Sequence, residues 1–119
     1  MNQVTYLGRL IRKPEVRTTT SQKVMTTFTL AVNREFKNQE GKYDADFFPC
    51  VVWGKLGEVA GNYLDKGHRV LVTGRNQNRT YEGKDGIKRT VTELIVGSID
   101  FIEKKESKMQ SLGEEVPFN

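Results

Sequence analysis

The segment FFPCVVWGKLGEVAGNYLDKG, residues 47–67, constrains the fold more than any other part of the chain. It opens as an apolar strand over residues 47–53 and turns through Gly54 into a short helix. Leu56, Val59, Ala60, Tyr63 and Leu64 recur at the spacing of one helical face, so that face is expected to pack inward. Lys66 and Gly67 form a stop signal, a cation in the last turn followed by a residue that accepts positive φ. The strand is unusual. Phe47, Pro49, Val51 and Trp53 point one way, and Phe48, Cys50 and Val52 point the other. Neither side is polar. A surface strand keeps one polar face, so something other than water is expected to cover the second face here. One helix set between two groups of strands is the plan of a small five-stranded barrel.

The flanking sequence supplies those strands. Residues 4–11 read as a first strand, rich in β-branched and aromatic side chains, that stops at Lys13-Pro14. Residues 18–23, TTTSQK, form a polar turn. Residues 24–33 alternate most cleanly, with Val24, Thr26, Phe28, Leu30 and Val32 inward and Met25, Thr27, Thr29, Ala31 and Asn33 outward. Residues 34–46 are a charged loop or hairpin tip carrying Phe36 and Tyr43. A fourth strand is expected at 68–76, and a basic hairpin at 77–89 turns at Gly83 and Asp85-Gly86. A fifth strand at 91–102 is expected to bend near Gly97-Ser98. The fold class is therefore all-β with one helix, an OB-type five-stranded Greek-key barrel of antiparallel neighbours. A different small α+β sheet carries the same pattern. The barrel domain spans residues 1–105. Residues 106–119 hold too few apolar groups to fold alone and read as a flexible acidic C-terminal tail with a tip.

Charge and composition narrow the chemistry. At 119 residues the chain is one domain with a modest core. Residues 1–105 carry 18 Lys and Arg against 12 Asp and Glu, a balance of +6, while 106–119 carry 1 against 3, a balance of −2. A basic body suits a polyanion, and an acidic end suits a separate task. No run is long and apolar enough to span a membrane, and the N-terminus lacks a secretory pattern. A single cysteine makes no internal disulfide and fits a reducing compartment, so a cytoplasmic protein is expected. Catalysis is hard to assemble from one His and one Cys. His68 reads as an exposed turn residue and Cys50 as a small buried apolar one. Neither belongs to a triad or metal-ligand pattern, no paired carboxylates stand out, and Gly54-Lys55 lacks the other positions of a phosphate loop. No cofactor or metal is expected.

Binding is easier to assemble. Phe36 sits between Arg34 and Lys37, Trp53 precedes Gly54-Lys55, and Tyr81 follows Arg79, with Arg75 close by. A nucleobase stacks on an aromatic ring while its phosphate meets a nearby cation. Bases are free to stack in this way only in single strands, so interleaved rings and cations favour a single-stranded ligand.

The stretches NQVTYLGRLIRKPEVR, VVWGKLGEVAGNYLDKGHRVLVTGR and NRTYEGKDGIKRTVTELIV together resemble the bacterial-type single-stranded DNA-binding protein family over residues 2–102. The resemblance implies a stacking platform of four aromatics, which fall on Phe36, Phe47, Trp53 and Tyr81. It implies that Lys55 faces the DNA backbone, with Arg34 and Arg79 placed similarly. It implies a homotetramer, with a dimer as fallback, built by pairing first strands, and a position near that interface for Phe48. It also implies that an acidic tip, here Glu114, Glu115, Val116, Pro117 and Phe118, docks on replication, recombination and repair enzymes. Asn119 departs from the family by following the phenylalanine. Pro49 is a further departure, since it removes a ladder donor and implies an edge or a bulge. The expected function is non-catalytic, largely sequence-independent binding and protection of single-stranded DNA. One rival is an RNA-binding or primosome-accessory OB protein. Another is an interaction scaffold whose aromatic face is a protein interface.

Overall fold

A computed structural model describes residues 1–103. Their order is β1 (Val4–Leu10), β2 (Glu15–Thr18), β3 (Val24–Lys37), β4 (Tyr43–Trp53), α1 (Gly54–Tyr63), β5 (Arg69–Glu82) and β6 (Lys88–Glu103). Hydrogen bonding runs β1–β5–β6–β4–β3, and β3 returns to β1 through Arg9↔Ala31 and Leu10↔Leu30. That return closes five strands into the expected OB-type barrel.

Two details depart from the sequence reading. β2 is an added short strand that pairs with β3 from Glu15↔Thr27 to Thr18↔Val24. All of its residues are exposed, so no apolar alternation announced it. It follows β1 along the same edge of β3, after an interruption at residues 11–14. Second, β4 and β6 run parallel, with Cys50↔Leu94 and Val51↔Ile95, rather than antiparallel. A helix and β5 intervene, and β5 is antiparallel to β6, so β6 comes back in the direction of β4.

The core follows the alternation. Phe28 and Leu30 of β3, Cys50 and Val52 of β4, Val70 and Val72 of β5, and Leu94 and Val96 of β6 meet inside the barrel with Leu10. Phe48 turns inward as well, stacking on Tyr6 with ring centres 4.2 Å apart. The helix completes this core with part of the expected face, since Ala60 and Leu64 are buried and Leu56 packs against the core. Val59 is 40% and Tyr63 66% exposed, whereas Gly57 and Ala60 are buried and Leu64 follows the helix as its C-cap. Small residues stand where the helix lies against the backbone. A Cβ on Gly57 would stand 2.5 Å from the Val52 carbonyl oxygen. The Thr26 hydroxyl, fully buried, donates to the Gly57 carbonyl at 2.7 Å. Lys66 lies beyond the helix rather than in its last turn, and Gly67 takes the expected positive φ of 88°.

Pro49 costs the sheet nothing. The Thr29 carbonyl accepts from the Ile11 amide at 3.1 Å, on the side away from β4. Thr29↔Pro49 is thus a pair without mutual hydrogen bonds, and the proline nitrogen faces the β6 side, where pairing begins only at Cys50. Pro49 occupies an edge, not a bulge; the irregularity of this ladder lies between Asn33 and Lys37. In β6 the register shifts opposite Thr73 and Gly74, which skips Gly97 and gives the expected bend.

The strands also run past the points where their apolar patterns stop. β3 and β4 continue as an arm that turns through Asn38 and Lys42, with an amide-to-carbonyl bond of 2.7 Å. β5 and β6 form a second arm closed by the Gly83 amide on the Ile87 carbonyl at 3.0 Å, with Gly86 at φ 79°. Phe36, Arg79 and Tyr81 therefore sit on strands and not in loops.

Candidate nucleic-acid interface

Strand register decides which candidate residues share a face. Val51 pairs with Thr27 of β3 and Ile95 of β6, and Ile95 pairs with Arg75 of β5. Side chains paired across a sheet point the same way, so these residues form one row on the outside of the barrel. Counting by twos along each strand adds Phe47 and Trp53 on β4, Arg79 and Tyr81 on β5, and Glu93 on β6. Phe47 is 60%, Trp53 42% and Tyr81 43% exposed. Because β4 and β6 are parallel, Phe47 lies toward the same end of this face as Arg79 and Tyr81. Trp53 lies toward the other end, where it leads into α1 and the exposed Lys55.

Arg34 and Phe36 belong to the opposite side. Asp46 pairs with Val32, an inward position, and the Arg34 guanidinium grips that carboxylate, Nε to Oδ2 at 3.0 Å and Nη2 to Oδ1 at 2.9 Å. Lys37 pairs with Tyr43, which shares the Phe47 side, and the Lys37 ammonium stands 5.8 Å from the Tyr43 ring centre. Phe36, next to Lys37, faces the other way and is 82% exposed. The eight candidate residues of the barrel thus separate into six around the outer face and two on the back of the β3–β4 arm. The five candidate residues of the tail lie outside the described residues.

The cations are not equivalent. The Asp46 hydrogen bond raises the Arg34 pKa, and the same bond holds the Asp46 carboxyl below the usual carboxylate range. Arg79 donates to Glu93 at 2.9 Å and lies 5.6 Å from the Tyr81 ring centre; its hydrogen bond to Glu93 raises its pKa too. Both guanidiniums are therefore partly neutralised where they stand. Arg75 makes one long contact, 3.5 Å, to the Gln77 side chain. Lys55 is exposed and makes no hydrogen bond or ion pair among the described residues.

Nothing in this arrangement resembles a reaction centre. Burial pushes the Cys50 thiol up to about 12, which keeps it protonated at neutral pH. His68 accepts from the Asp65 amide at 3.0 Å and meets Phe101 edge-on at 5.6 Å, so it organises a turn. Among the described residues no group of three or more His, Cys, Asp or Glu is placed to hold a metal ion, and no helix is long and apolar enough to cross a membrane. Tyr43 was not among the candidates, although it is 53% exposed on the Phe47 side. The signal that finds it is strand parity, which becomes usable once the register of the arm is known.

The sequence profile of the single-strand binding protein family matches residues 1–102. The chain belongs to that family. Single-stranded DNA-binding protein 3 of Listeria innocua is 49% identical over 107 residues, covering 90% of this chain and 67% of the relative. A single-stranded DNA-binding protein of Bacillus cereus is 45% identical, covering 95% of this chain and 66% of the relative. Single-stranded DNA-binding protein 1 of Streptococcus pyogenes is 42% identical, covering 98% of this chain and 92% of the relative. The chain spans about two thirds of the length of the Listeria and Bacillus proteins. The family match covers the whole barrel, including the outer face and both arms.

Proposed function

We propose that this member of the single-strand binding protein family binds single-stranded DNA, without catalysis and with little sequence preference. The observation that carries the reading is the outer barrel face, where Phe47, Trp53 and Tyr81 stay exposed on one side of the sheet beside Lys55 and Arg75. Bases stack on those rings and phosphates meet the cations. Arg79 serves the same strand after exchanging part of its contact with Glu93. Arg34 and Phe36 engage DNA that passes around the back of the β3–β4 arm. Coating of this kind protects single strands and removes hairpins during replication, recombination or repair.

The reading extends to assembly and partners. β1 pairs with β5 along Val4 to Arg9 but with β3 only at Arg9 and Leu10, so one edge of its first half is unpaired among the described residues. Such an edge invites a second β1, which supports a homotetramer with a dimer as fallback. Light scattering that returns a monomer mass at micromolar protein would refute both. Residues 1–105 act as the DNA-binding domain and 106–119 as a recruiting tail. Glu114, Glu115, Val116, Pro117 and Phe118 place acids beside a short apolar anchor. Deleting residues 114–119 abolishes capture of a helicase or a recombination mediator and leaves DNA binding intact. Capture that survives the deletion removes the tail from the mechanism.

The central test uses the lone tryptophan. Oligo-dT is expected to quench Trp53 emission, duplex DNA to leave it unchanged, and RNA of equal length to bind more weakly. Stronger binding to RNA would favour an RNA-binding role, and no binding of any nucleic acid at low salt would favour a protein-interaction role.

A further inference from the structure

The outer face leaves a gap in the path of a strand. Phe47 and Trp53 are six residues apart on β4, about 20 Å at the rise of a strand. Stacked nucleotides advance only about 3.4 Å each, so the two rings do not bracket a single nucleotide. Between them, on the same face, runs a groove of about 530 Å³. Ligand pockets fall at about 300–1,000 Å³, so its size suits a nucleotide. Thr27, Pro49 and Val51 form its floor, Arg12 and Lys13 one wall, and Glu93 the other.

The walls differ in charge. Arg12 and Lys13 are exposed and make no hydrogen bond or ion pair among the described residues. The two carboxylates at the groove are both engaged, Glu93 by Arg79 at 2.9 Å and Glu15 by Arg17 at 2.9 Å. The wall that carries the free cations is anchored on both sides. The Ile11 amide donates to the Thr29 carbonyl at 3.1 Å, and Pro14 is buried. The backbone that carries the two cations is thus fixed, so a ligand has only their side chains to order.

We propose that this groove is a nucleotide subsite, with a backbone phosphate on Arg12 and Lys13 and the sugar and base over Thr27 and Pro49. The carboxylate of Glu93 repels phosphate from the opposite wall, which fixes the side on which the backbone runs. The subsite joins the Phe47 and Trp53 ends of the face into one path. The inference rests on the single-stranded DNA reading above.

The test measures oligo-dT affinity from Trp53 quenching across a range of salt concentrations, in full-length protein. Arg12→Gln/Lys13→Gln should lower the salt slope by about 0.7, the step for one phosphate contact. Thr27→Phe fills the floor without changing charge; it should weaken binding about tenfold and leave the slope alone. Lys66→Gln, beyond the far end of α1 from Trp53, should leave both quantities unchanged. An unaltered slope in the double variant overturns the proposal, as does an equal loss of slope per charge in Lys66→Gln. Wild-type affinity in Thr27→Phe also overturns it, with melting temperatures confirming that each variant is folded. These outcomes leave the wider reading standing, whereas wild-type protein that shows no quenching with oligo-dT overturns that reading and the subsite with it.

Discussion

The two sides of β4 start from equally apolar residues and end in opposite states. Cys50 and Val52 are 1% and 0% exposed, inside the barrel. Phe47 and Trp53, on the other side of the same strand, are 60% and 42% exposed. The inner set is closed by β3, β5, β6 and the helix, so its burial is complete within one chain. In the outer set Val51 is 4% exposed, but Phe47 and Trp53 have only the neighbouring strands beside them and stay open to water. Exposed rings contribute little to folding, because the apolar area they remove from water is small. Their place in the chain makes sense through what they bind. One side of the strand serves stability and the other serves function, and substitutions on the two sides should separate those properties.

The largest effect belongs to the inner side. Leu30, fully buried and paired across the ladder with Phe48, should lose about 2–5 kcal/mol of stability as Leu30→Ala. Denaturant unfolding measures this, and the protein that remains folded should bind oligo-dT as before. The next effect lies where the helix meets the strand. Gly57→Val would force a side chain against the Val52 backbone and should destabilise by about 1–3 kcal/mol. Stability equal to wild type would mean that α1 shifts freely and is no fixed part of the barrel. Lys55→Ala tests the outer side: the melting temperature should hold while the salt slope of DNA binding falls by about 0.7, one phosphate contact. An unchanged slope would make Lys55 a solvated residue of the first helical turn.

The inner side was far easier to read from sequence than the outer one. Alternation over residues 24–33 named Thr26, Phe28 and Leu30 as inward because burial there is complete and periodic. The helix was read from its large residues, which was right for Leu56 and Leu64 and misled for Val59 and Tyr63. Val59 and Tyr63 are exposed, and Gly57 and Ala60 make the contact, because a helix lying on backbone needs small groups that carry little hydrophobic signal. β2 carries no such signal either, being exposed throughout and held by backbone bonds to β3. The sidedness of the candidate site was hidden for a different reason. Arg34 and Phe36 continue the inward parity of Val32, but residues 34–46 are charged and read as a loop, so that parity was not followed past Asn33. Arg12 and Lys13 were read only as the end of a strand, since the groove they flank is completed by β4 and β6 from distant parts of the chain.

The smallest expected effect concerns the tip of the β5–β6 arm. Arg89 donates to Asp85 at 2.7 Å, and that bond holds the Asp85 carboxyl below its ordinary value. A carboxyl whose folded pKa is lowered stabilises above its unfolded pKa, about 3.9, and loses that contribution as pH falls through the folded value. Protection of the Ile87 amide, taken relative to its intrinsic exchange rate, should therefore fall below about pH 4 in wild type, and in Arg89→Gln it should be lower already at neutral pH. Identical exchange in the two proteins across that range would mean the pair does not order the tip.

The most direct measurement pairs affinity with stability in Phe47→Ala and Tyr81→Ala. Labelled oligo-dT anisotropy gives the first quantity and thermal unfolding the second. The account predicts that each variant binds more weakly by about 1–3 kcal/mol while its melting temperature stays at the wild-type value. Wild-type affinity in both variants, or an affinity loss that merely follows a fall in melting temperature, would contradict it.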